Sequence, residues 1–241
     1  MKKTLTNFDL QELERLMNEL GAEPRIFNSE AQFQFELAWK IKEVFDCEVR
    51  LELLSHEYST TRNYRGKERP YIKHEYTDII LEKEDISIAL ELKYKTAKRD
   101  QYHLKNQGAT DLGSYDFLWD VHRLQILTGL EKGGNVLRPC QRGFVIILTN
   151  DAVYWNKASQ KSKIDKDFFI DGDEKGCGTL TKGEHRWCLC DGSPGIPKTV
   201  KDTFRQNEID LKKDYNYVWR EYCNLDKQEK NNEFKYMIVS V

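Results

Sequence analysis

Two short apolar runs separated by four charged residues constrain the fold of this chain more than any other segment. They lie within residues 76–95, which read YTDIILEKEDISIALELKYK. Apolar runs of this length on either side of a charged segment at 82–85 predict a β-hairpin. Because alternate side chains of a strand share a face, Glu91 and Lys93 project together, and the neighbouring strand brings Asp78 near them.

These three side chains suit the chemistry of a bound cation. Carboxylate oxygens are the ligands that hard divalent cations such as Mg²⁺ prefer. A bound cation of this kind can activate a water molecule for attack, with the ammonium group beside it. The hairpin therefore indicates a metal-dependent hydrolytic site built on Asp78, Glu91 and Lys93.

Composition narrows the class of protein. Hydrophobic residues make up 39% of the 241 residues and charged residues 32%, which is typical of a globular chain with a sizeable core. A net charge of −2 restricts any nucleic-acid binding to local basic patches. The sequence has neither a membrane-length apolar stretch nor a signal-peptide pattern. We therefore expect a cytoplasmic protein with no membrane contact and with reduced cysteines.

Hydrophobic periodicity predicts one α/β domain over residues 1–241. Helices are predicted at residues 7–20, 29–45 and 110–130, with a further helix within 203–223. Strands are predicted at 48–54, 77–82, 86–94 and 143–149, in the HRWCLC segment and over the C-terminal FKYMIVSV. Residues 55–75 read as a long polar connection, and 156–200 show no clear pattern.

Glu30 is expected to face inward from the second predicted helix. On a helical wheel it falls in the middle of the apolar stripe formed by Phe33, Leu37, Ile41 and Val44. A carboxylate in that position is buried or half-buried, which is costly unless it is paired or binds a metal. The competing interpretation is a first-turn glutamate favoured by the helix dipole.

A helix with an inward glutamate, a strand and then Asp-x12-Glu-x-Lys on a hairpin resembles the PD-(D/E)xK nuclease superfamily. The resemblance covers about residues 29–150 and leaves 151–241 as a C-terminal elaboration. It implies a restriction-endonuclease-like fold, in which a central mixed β-sheet is flanked by helices. The chain departs from the motif at Thr77, where the motif has proline, a change that the superfamily tolerates widely. Gln107 followed by Tyr115 resembles, at a looser spacing, the glutamine element of the RecB-like branch.

The resemblance also implies a role for each residue of the motif. Asp78 and Glu91 would bind Mg²⁺, for which Mn²⁺ can substitute, helped by the backbone carbonyl of Leu92. Lys93 would be the catalytic lysine, orienting or helping to deprotonate the attacking water. Glu30 would hold a second ion or a water on the ion.

A protein of this kind would be a magnesium-dependent deoxyribonuclease. It would hydrolyse phosphodiester bonds in DNA and leave 5′-phosphate and 3′-hydroxyl ends. Restriction or genome defence is the setting that the resemblance suggests, and repair and mobile-element roles stay open. A homodimer is compatible with cutting both strands.

Basic residues beside the hairpin favour a polyanionic partner. Lysine and arginine contacts to phosphates supply most non-specific affinity for nucleic acid, and the interspersed tyrosines suit base stacking. The alternative explanation is a solubilising, charge-rich surface segment. The candidate nucleic-acid-binding residues are Arg62, Arg65, Lys67, Arg69, Lys95, Lys98 and Arg99.

Other interpretations stay open at this point. The hairpin could be a solvated rim on which Glu91 and Lys93 form an ion pair. A catalytically inactive or partner-activated nucleic-acid-binding module would keep the nuclease fold without turnover. Zinc is not expected, because the cysteines and histidine within 177–190 lack the two short-spaced pairs of a structural zinc site.

Overall fold

The computed structural model shows a mixed α/β protein in which a large mixed sheet is flanked by three helices. The structure describes residues 2–23, 25–64, 67–157, 164–197, 200, 205, 207–225 and 231–241, without the side chains of residues 60–68. The helices are α1 (Leu10–Ala22), α2 (Glu30–Val44) and α3 (Thr110–Leu127). The strands are β1 (Lys3–Thr4), β2 (Phe45–Asp46), β3 (Glu48–Tyr64), β4 (Lys67–Lys83), β5 (Ile86–Lys95), β6 (Asn135–Val136), β7 (Arg142–Thr149), β8 (Cys177–Leu180), β9 (Gly183–His185), β10 (Ile209–Leu211), β11 (Tyr215–Val218), β12 (Arg220–Asn224) and β13 (Glu233–Ser240).

The central sheet of the described residues has seven strands in the order β12-β13-β7-β5-β4-β3-β6. β5 and β7 are parallel, and the other neighbours are antiparallel. A parallel pair needs a long crossover connection, and α3 lies in the one between β5 and β7. The predicted α/β class with a mixed sheet flanked by helices is thereby confirmed.

Each face of the sheet carries its own hydrophobic core. α1 and α2 cover one face, where Leu13, Phe33 and Leu90 are fully buried. The other face is covered by α3 together with β8, β10 and β11, and Leu124 and Val145 are fully buried there. β7 is buried from its second residue onward, as its continuous apolar run predicts.

Side-chain caps fix where the first two helices begin. Asp9 accepts a hydrogen bond from the N–H of Glu12, and Ser29 accepts one from the N–H of Gln32. The second cap confirms the predicted start of this helix. It also places Glu30 in the first turn of α2, next to the sheet.

The prediction of a polar connection at residues 55–75 was wrong. These residues extend β3 and β4 into a long hairpin, whose two strands pair from Glu48 with Glu82 to Tyr64 with Lys67. A strand pair that lies outside the core has no face that must be apolar. The polarity of the segment therefore resembled that of a loop.

The predicted helix within 203–223 was also wrong. The described residues there form β10, β11 and the start of β12, and Tyr215, Tyr217 and Trp219 are buried at alternate positions. Aromatic residues with this alternation favour a strand. The HRWCLC segment belongs to a strand only at His185, whereas the C-terminal strand is confirmed as β13.

The cysteines and the histidine within residues 177–190 were weighed as zinc ligands. All six cysteines are free thiols. The ring nitrogens of His185 lie 2.7 Å and 2.8 Å from the carbonyl oxygens of Asp167 and Thr181.

Among the described residues, no helix is both long enough and apolar enough to span a membrane.

Gly21 provides a test of the packing of α1 on β12. A Cβ at this position would overlap the backbone carbonyl of Tyr222. We expect Gly21→Ala to lower the free energy of unfolding by about 1–3 kcal/mol, measured by urea denaturation. An open helical site would instead gain up to about 1 kcal/mol from the same change. Gln11→Ala, at an exposed position of the same helix, is the control. A gain in stability for Gly21→Ala would contradict the close approach.

Candidate functional site

The candidate site lies where β4 and β5 stop pairing. Their antiparallel ladder ends at Ile79 and Leu90, so the next residues in register are Asp78 and Glu91. β5 nevertheless continues beside β7 as far as Lys95. One edge of β5 thus loses its partner strand while the opposite edge stays paired.

Two carboxylates replace the missing strand at that edge. Asp78 Oδ2 accepts the N–H of Leu92 at 2.6 Å, and Glu30 Oε2 accepts the N–H of Tyr94 at 2.7 Å. Backbone groups two residues apart point to the same edge of a strand. Asp78 and Glu30 therefore line one open edge and satisfy donors that would otherwise lack partners.

A side-chain amide holds β4 at this point. Gln34, one turn after Glu30 on α2, donates to the Asp78 carbonyl oxygen at 2.6 Å and to Glu52 Oε1 at 3.0 Å. Glu52 lies on β3 opposite Asp78 and has a φ of 49°, in the left-handed region that glutamate rarely adopts. Because backbone strain of this kind clusters at functional sites, we include Gln34 and Glu52 in the candidate site.

Glu91 is a buried carboxylate that faces an arginine. Its side chain is 1% exposed, and Arg123 Nη2 lies 3.1 Å from its Oε1. The contact lacks hydrogen-bond geometry, so Oε1 has no hydrogen bond within the described part of the chain. Burial raises the pKa of Glu91 well above its usual range, although Arg123 opposes the shift.

Lys93 is held as a cation among these carboxylates. It forms an ion pair with Asp120 on α3, and its Nζ lies 3.2 Å from the carbonyl oxygen of Leu92. Burial alone would lower the pKa of Lys93, but the surrounding carboxylates, Asp120 first among them, raise it above the ordinary value. The Leu92 carbonyl, predicted to be a metal ligand, therefore contacts Lys93.

Asp78 titrates at a much higher pH than an ordinary aspartate. Burial raises its pKa to about 6, Asp120 adds to the shift, and Lys93 opposes it. Asp78 therefore approaches neutrality at mildly acidic pH while Lys93 keeps its charge.

A further group of charged side chains surrounds the site and was not predicted from the sequence. Arg123 contacts Asp120 Oδ1 at 3.2 Å and Glu75 Oε2 at 3.6 Å, and it donates to the carbonyl oxygen of Tyr76. Burial would raise the pKa of Glu75, but Arg123 and Lys73 outweigh it and lower that pKa. Arg123 thus joins α3 to β4 as well as to β5.

A helical wheel would have found Asp120. On α3, Trp119 and His122 are only partly buried, whereas Phe117 and Leu124 are fully buried. Asp120 lies at helical spacing from these two residues and is 3% exposed. A charged residue on a buried helix face is the same signal that identified Glu30.

The Gln107 and Tyr115 element does not form a pair at this site. The Gln107 side chain is exposed, and its backbone N–H donates to the carbonyl oxygen of Thr96 at 3.0 Å. Tyr115 is 2% exposed and is packed in the core, where its ring stacks on Trp119 and Trp187.

The basic candidates fall into two groups. One group lies on the β3–β4 hairpin, where Arg69 is exposed, while Arg65 and the side chains of Arg62 and Lys67 lie outside the described residues. The other group follows the motif on and after β5. In it Lys98 is exposed, and Lys95 and Arg99 are half-buried.

The donor chemistry of the site fits a hard divalent cation. In the arrangement described, no group of three or more His, Cys, Asp or Glu side chains converges on one point among the described residues. The donors are nevertheless oxygens, one Glu91 oxygen lacks a hydrogen bond, and the pKa values of Asp78 and Glu91 are raised. A cation would stabilise the ionised form of both carboxyls. Asp78, Glu91 and the Leu92 carbonyl are the groups that would hold it.

Comparisons with protein-family models, with curated proteins and with solved structures find no match to this chain.

Asp78→Asn tests the electrostatic cost of the site. Between pH 3.8, which is the ordinary pKa of this carboxyl group, and a pH of about 6, the folded protein keeps a proton on Asp78 that the unfolded chain releases. Stability conferred by this group therefore falls as pH rises through that window. With a chelator present, we expect Asp78→Asn and the parent to have equal free energies of unfolding near pH 4. At pH 7, the free energy of unfolding of the variant should be higher by about 2–3 kcal/mol. Asp85→Asn, at an exposed position of the same hairpin, is the control. A stability difference that does not change with pH would contradict the raised pKa.

The Glu91–Arg123 contact can be tested by a double-mutant cycle. Arg123→Gln leaves Glu91 buried opposite a neutral group, so we expect a loss of about 3–5 kcal/mol in the free energy of unfolding. Adding Glu91→Gln should recover part of that loss, because the buried carboxyl group that lost its partner is then removed as well. Urea denaturation of the parent, both single variants and the double variant measures the coupling. Additive losses would show that the two side chains do not interact.

Proposed function

We propose that this protein is a magnesium-dependent deoxyribonuclease with a restriction-endonuclease-like fold, which hydrolyses phosphodiester bonds in DNA. One observation carries the proposal. Asp78 and Glu30 line the edge of β5 that β4 leaves open, and Glu91 and Lys93 lie on the same stretch of β5, where they contact Arg123 and Asp120 of α3. This is the set of side chains that resembles the PD-(D/E)xK motif.

The carboxylates have the role of cation ligands in this proposal. Asp78, Glu91 and the Leu92 carbonyl would hold Mg²⁺ or Mn²⁺. Glu30, which accepts the N–H of Tyr94, would hold a second ion or a water on the ion. When bound, the cation supplies Lewis-acid polarisation of a phosphodiester. The raised pKa values of Asp78 and Glu91 support this role, because a nearby positive charge favours their ionised forms.

Lys93 acts as a fixed positive charge. Its raised pKa keeps the ammonium protonated in the site as described, so it is poorly suited to accept a proton from water. A buried ammonium group instead offsets the negative charge that develops on a phosphate in the transition state. Asp120 is then a positioning residue, because its ion pair fixes where the ammonium lies.

Arg123 balances the excess of acid groups around Glu91. Binding of a cation by Glu91 would compete with the Arg123 contact, and Arg123 has Asp120 and Glu75 as further partners. Its guanidinium group can therefore stay paired when Glu91 turns toward a cation. Because Arg123 contacts three acidic side chains, the charged groups of the site can stay paired before substrate binds.

A second candidate function is a nucleic-acid-binding module without turnover. It is favoured by the fact that the acidic residues also have structural partners: Asp78 and Glu30 bind backbone N–H groups, and Glu91 faces Arg123. Such a protein would bind DNA equally well with and without divalent cations. The nuclease proposal also includes a homodimer, a role in restriction or genome defence, and a cytoplasmic location.

A cleavage assay with Lys93→Ala separates these functions. We expect the parent protein to cut plasmid or linear DNA with Mg²⁺ or Mn²⁺ and to be inactive in EDTA. Lys93→Ala should lower kcat by about 10²–10³-fold, because transition-state charge is no longer offset, while substrate binding is kept. Lys83→Ala, which removes an exposed lysine at the far end of β4, should cut at the rate of the parent. Near-parental turnover by Lys93→Ala would refute the assignment, and metal-independent binding without cutting would favour the module.

A further inference from the structure

The outer half of the β3–β4 hairpin projects away from the sheet. β6 pairs with β3 only at His56 and Glu57, and β4 pairs with β5 only as far as Ile79. Beyond these points, among the described strands, β3 and β4 pair with each other alone. We call the segments 58–64 and 67–73 the arm. At about 3.4 Å per residue, it is roughly 20 Å long.

The arm is strongly basic in a chain that is slightly acidic. The arm and the two residues between its segments in the sequence hold five basic residues and one acidic residue, whereas the whole chain has a net charge of −2. An excess of positive charge on one projecting element creates the electrostatic footprint of a phosphate-binding surface. The basic residues are Arg62, Arg65, Lys67, Arg69 and Lys73, and the acidic residue is Glu68.

Apolar side chains on the arm lie outside the core. Tyr71 is 43% exposed and Ile72 is 54% exposed. An isolated two-stranded hairpin is only marginally stable in water. A surface that combines exposed aromatic and aliphatic groups with positive charge is better explained by a bound partner than by the folding of the arm itself.

The base of the arm is joined directly to the candidate site. Lys73 Nζ lies 2.6 Å from Glu75 Oε1 and 5.7 Å from the centre of the Trp119 ring on α3. Tyr58 donates to the same Glu75 oxygen at 3.1 Å. Glu75 contacts Arg123, which faces Glu91. The base of the arm and the candidate site therefore share one network of charged side chains.

We propose that the arm binds in the major groove of duplex DNA and presents the duplex to the candidate site. A two-stranded β-ribbon fits the B-form major groove, which is about 12 Å wide. The major groove of duplex RNA is too deep and narrow to admit such a ribbon, and a single strand has no groove. The inference rests on the proposed nuclease function for the identity of the substrate, and it adds that the substrate is double-stranded.

Binding measurements in EDTA test the inference without cleavage. Fluorescence anisotropy would compare duplex DNA of about two helical turns with the single strand and with an RNA duplex of the same sequence. We expect the parent to bind duplex DNA at least about tenfold more tightly than either alternative at physiological salt. In Arg62→Ala/Lys67→Ala/Arg69→Ala, duplex binding should weaken by about tenfold or more. The slope of log K against log salt should become shallower by about 2–3, because up to three phosphate contacts are lost.

A matched variant controls for net charge. Arg50→Ala/Lys83→Ala/Arg138→Ala removes the same charge from exposed positions at the opposite end of the hairpin and on the neighbouring segment after β6. Its dissociation constant for duplex DNA should be within about twofold of that of the parent, and the slope of log K against log salt should be unchanged. Equal urea midpoints for the two triple variants would show that both are folded.

The outcomes also separate this inference from the proposed function. Arm-dependent duplex binding without metal-dependent cleavage by the parent would keep the arm assignment and overturn the nuclease. Cleavage by the parent, with unchanged duplex binding and salt slope in the arm variant, would keep the nuclease and overturn the arm assignment. Preferential binding of the single strand or of duplex RNA through the arm would overturn the assignment to duplex DNA.

Discussion

The candidate site depends on the point at which β4 leaves β5. Past Ile79, the backbone N–H groups of Leu92 and Tyr94 lose a partner strand, and a buried N–H without an acceptor is costly. Asp78 and Glu30 supply the acceptors. The same hydrogen bonds therefore complete the fold and bring two acidic groups to one strand edge.

Once carboxylates are placed at that edge, the charges around them follow. Burial disfavours their ionised forms, and Lys93 and Arg123 reduce that cost by ion pairing with acidic partners. A buried network of this kind is a poor way to gain stability, since apolar residues of similar volume often pack as well or better. Its presence in a sheet with two apolar cores favours a functional origin over a structural one.

Much of this arrangement could be predicted from the sequence, because its signals are local. The start of α2, the strand β7 and the turn between β4 and β5 each depend on a few adjacent residues, and all three were predicted. The arm was not, because a strand pair outside the core carries no apolar alternation. Asp120 and Arg123 were missed for a different reason. The burial of Asp120 could have been inferred from the periodicity of α3. The partners of both residues, however, lie about 30 to 50 residues earlier in the chain, and periodicity within one helix does not reveal those partners.

β4 runs without interruption from the arm to Asp78. An extended strand rises about 3.3 Å per residue and cannot be stretched appreciably, so Ile72 and Asp78 are held roughly 20 Å apart. In the proposed complex, the point where the arm binds the duplex and the point where the duplex is cut would be separated by a fixed number of residues of β4. That number would set the distance along the DNA between the bound site and the cleaved bond.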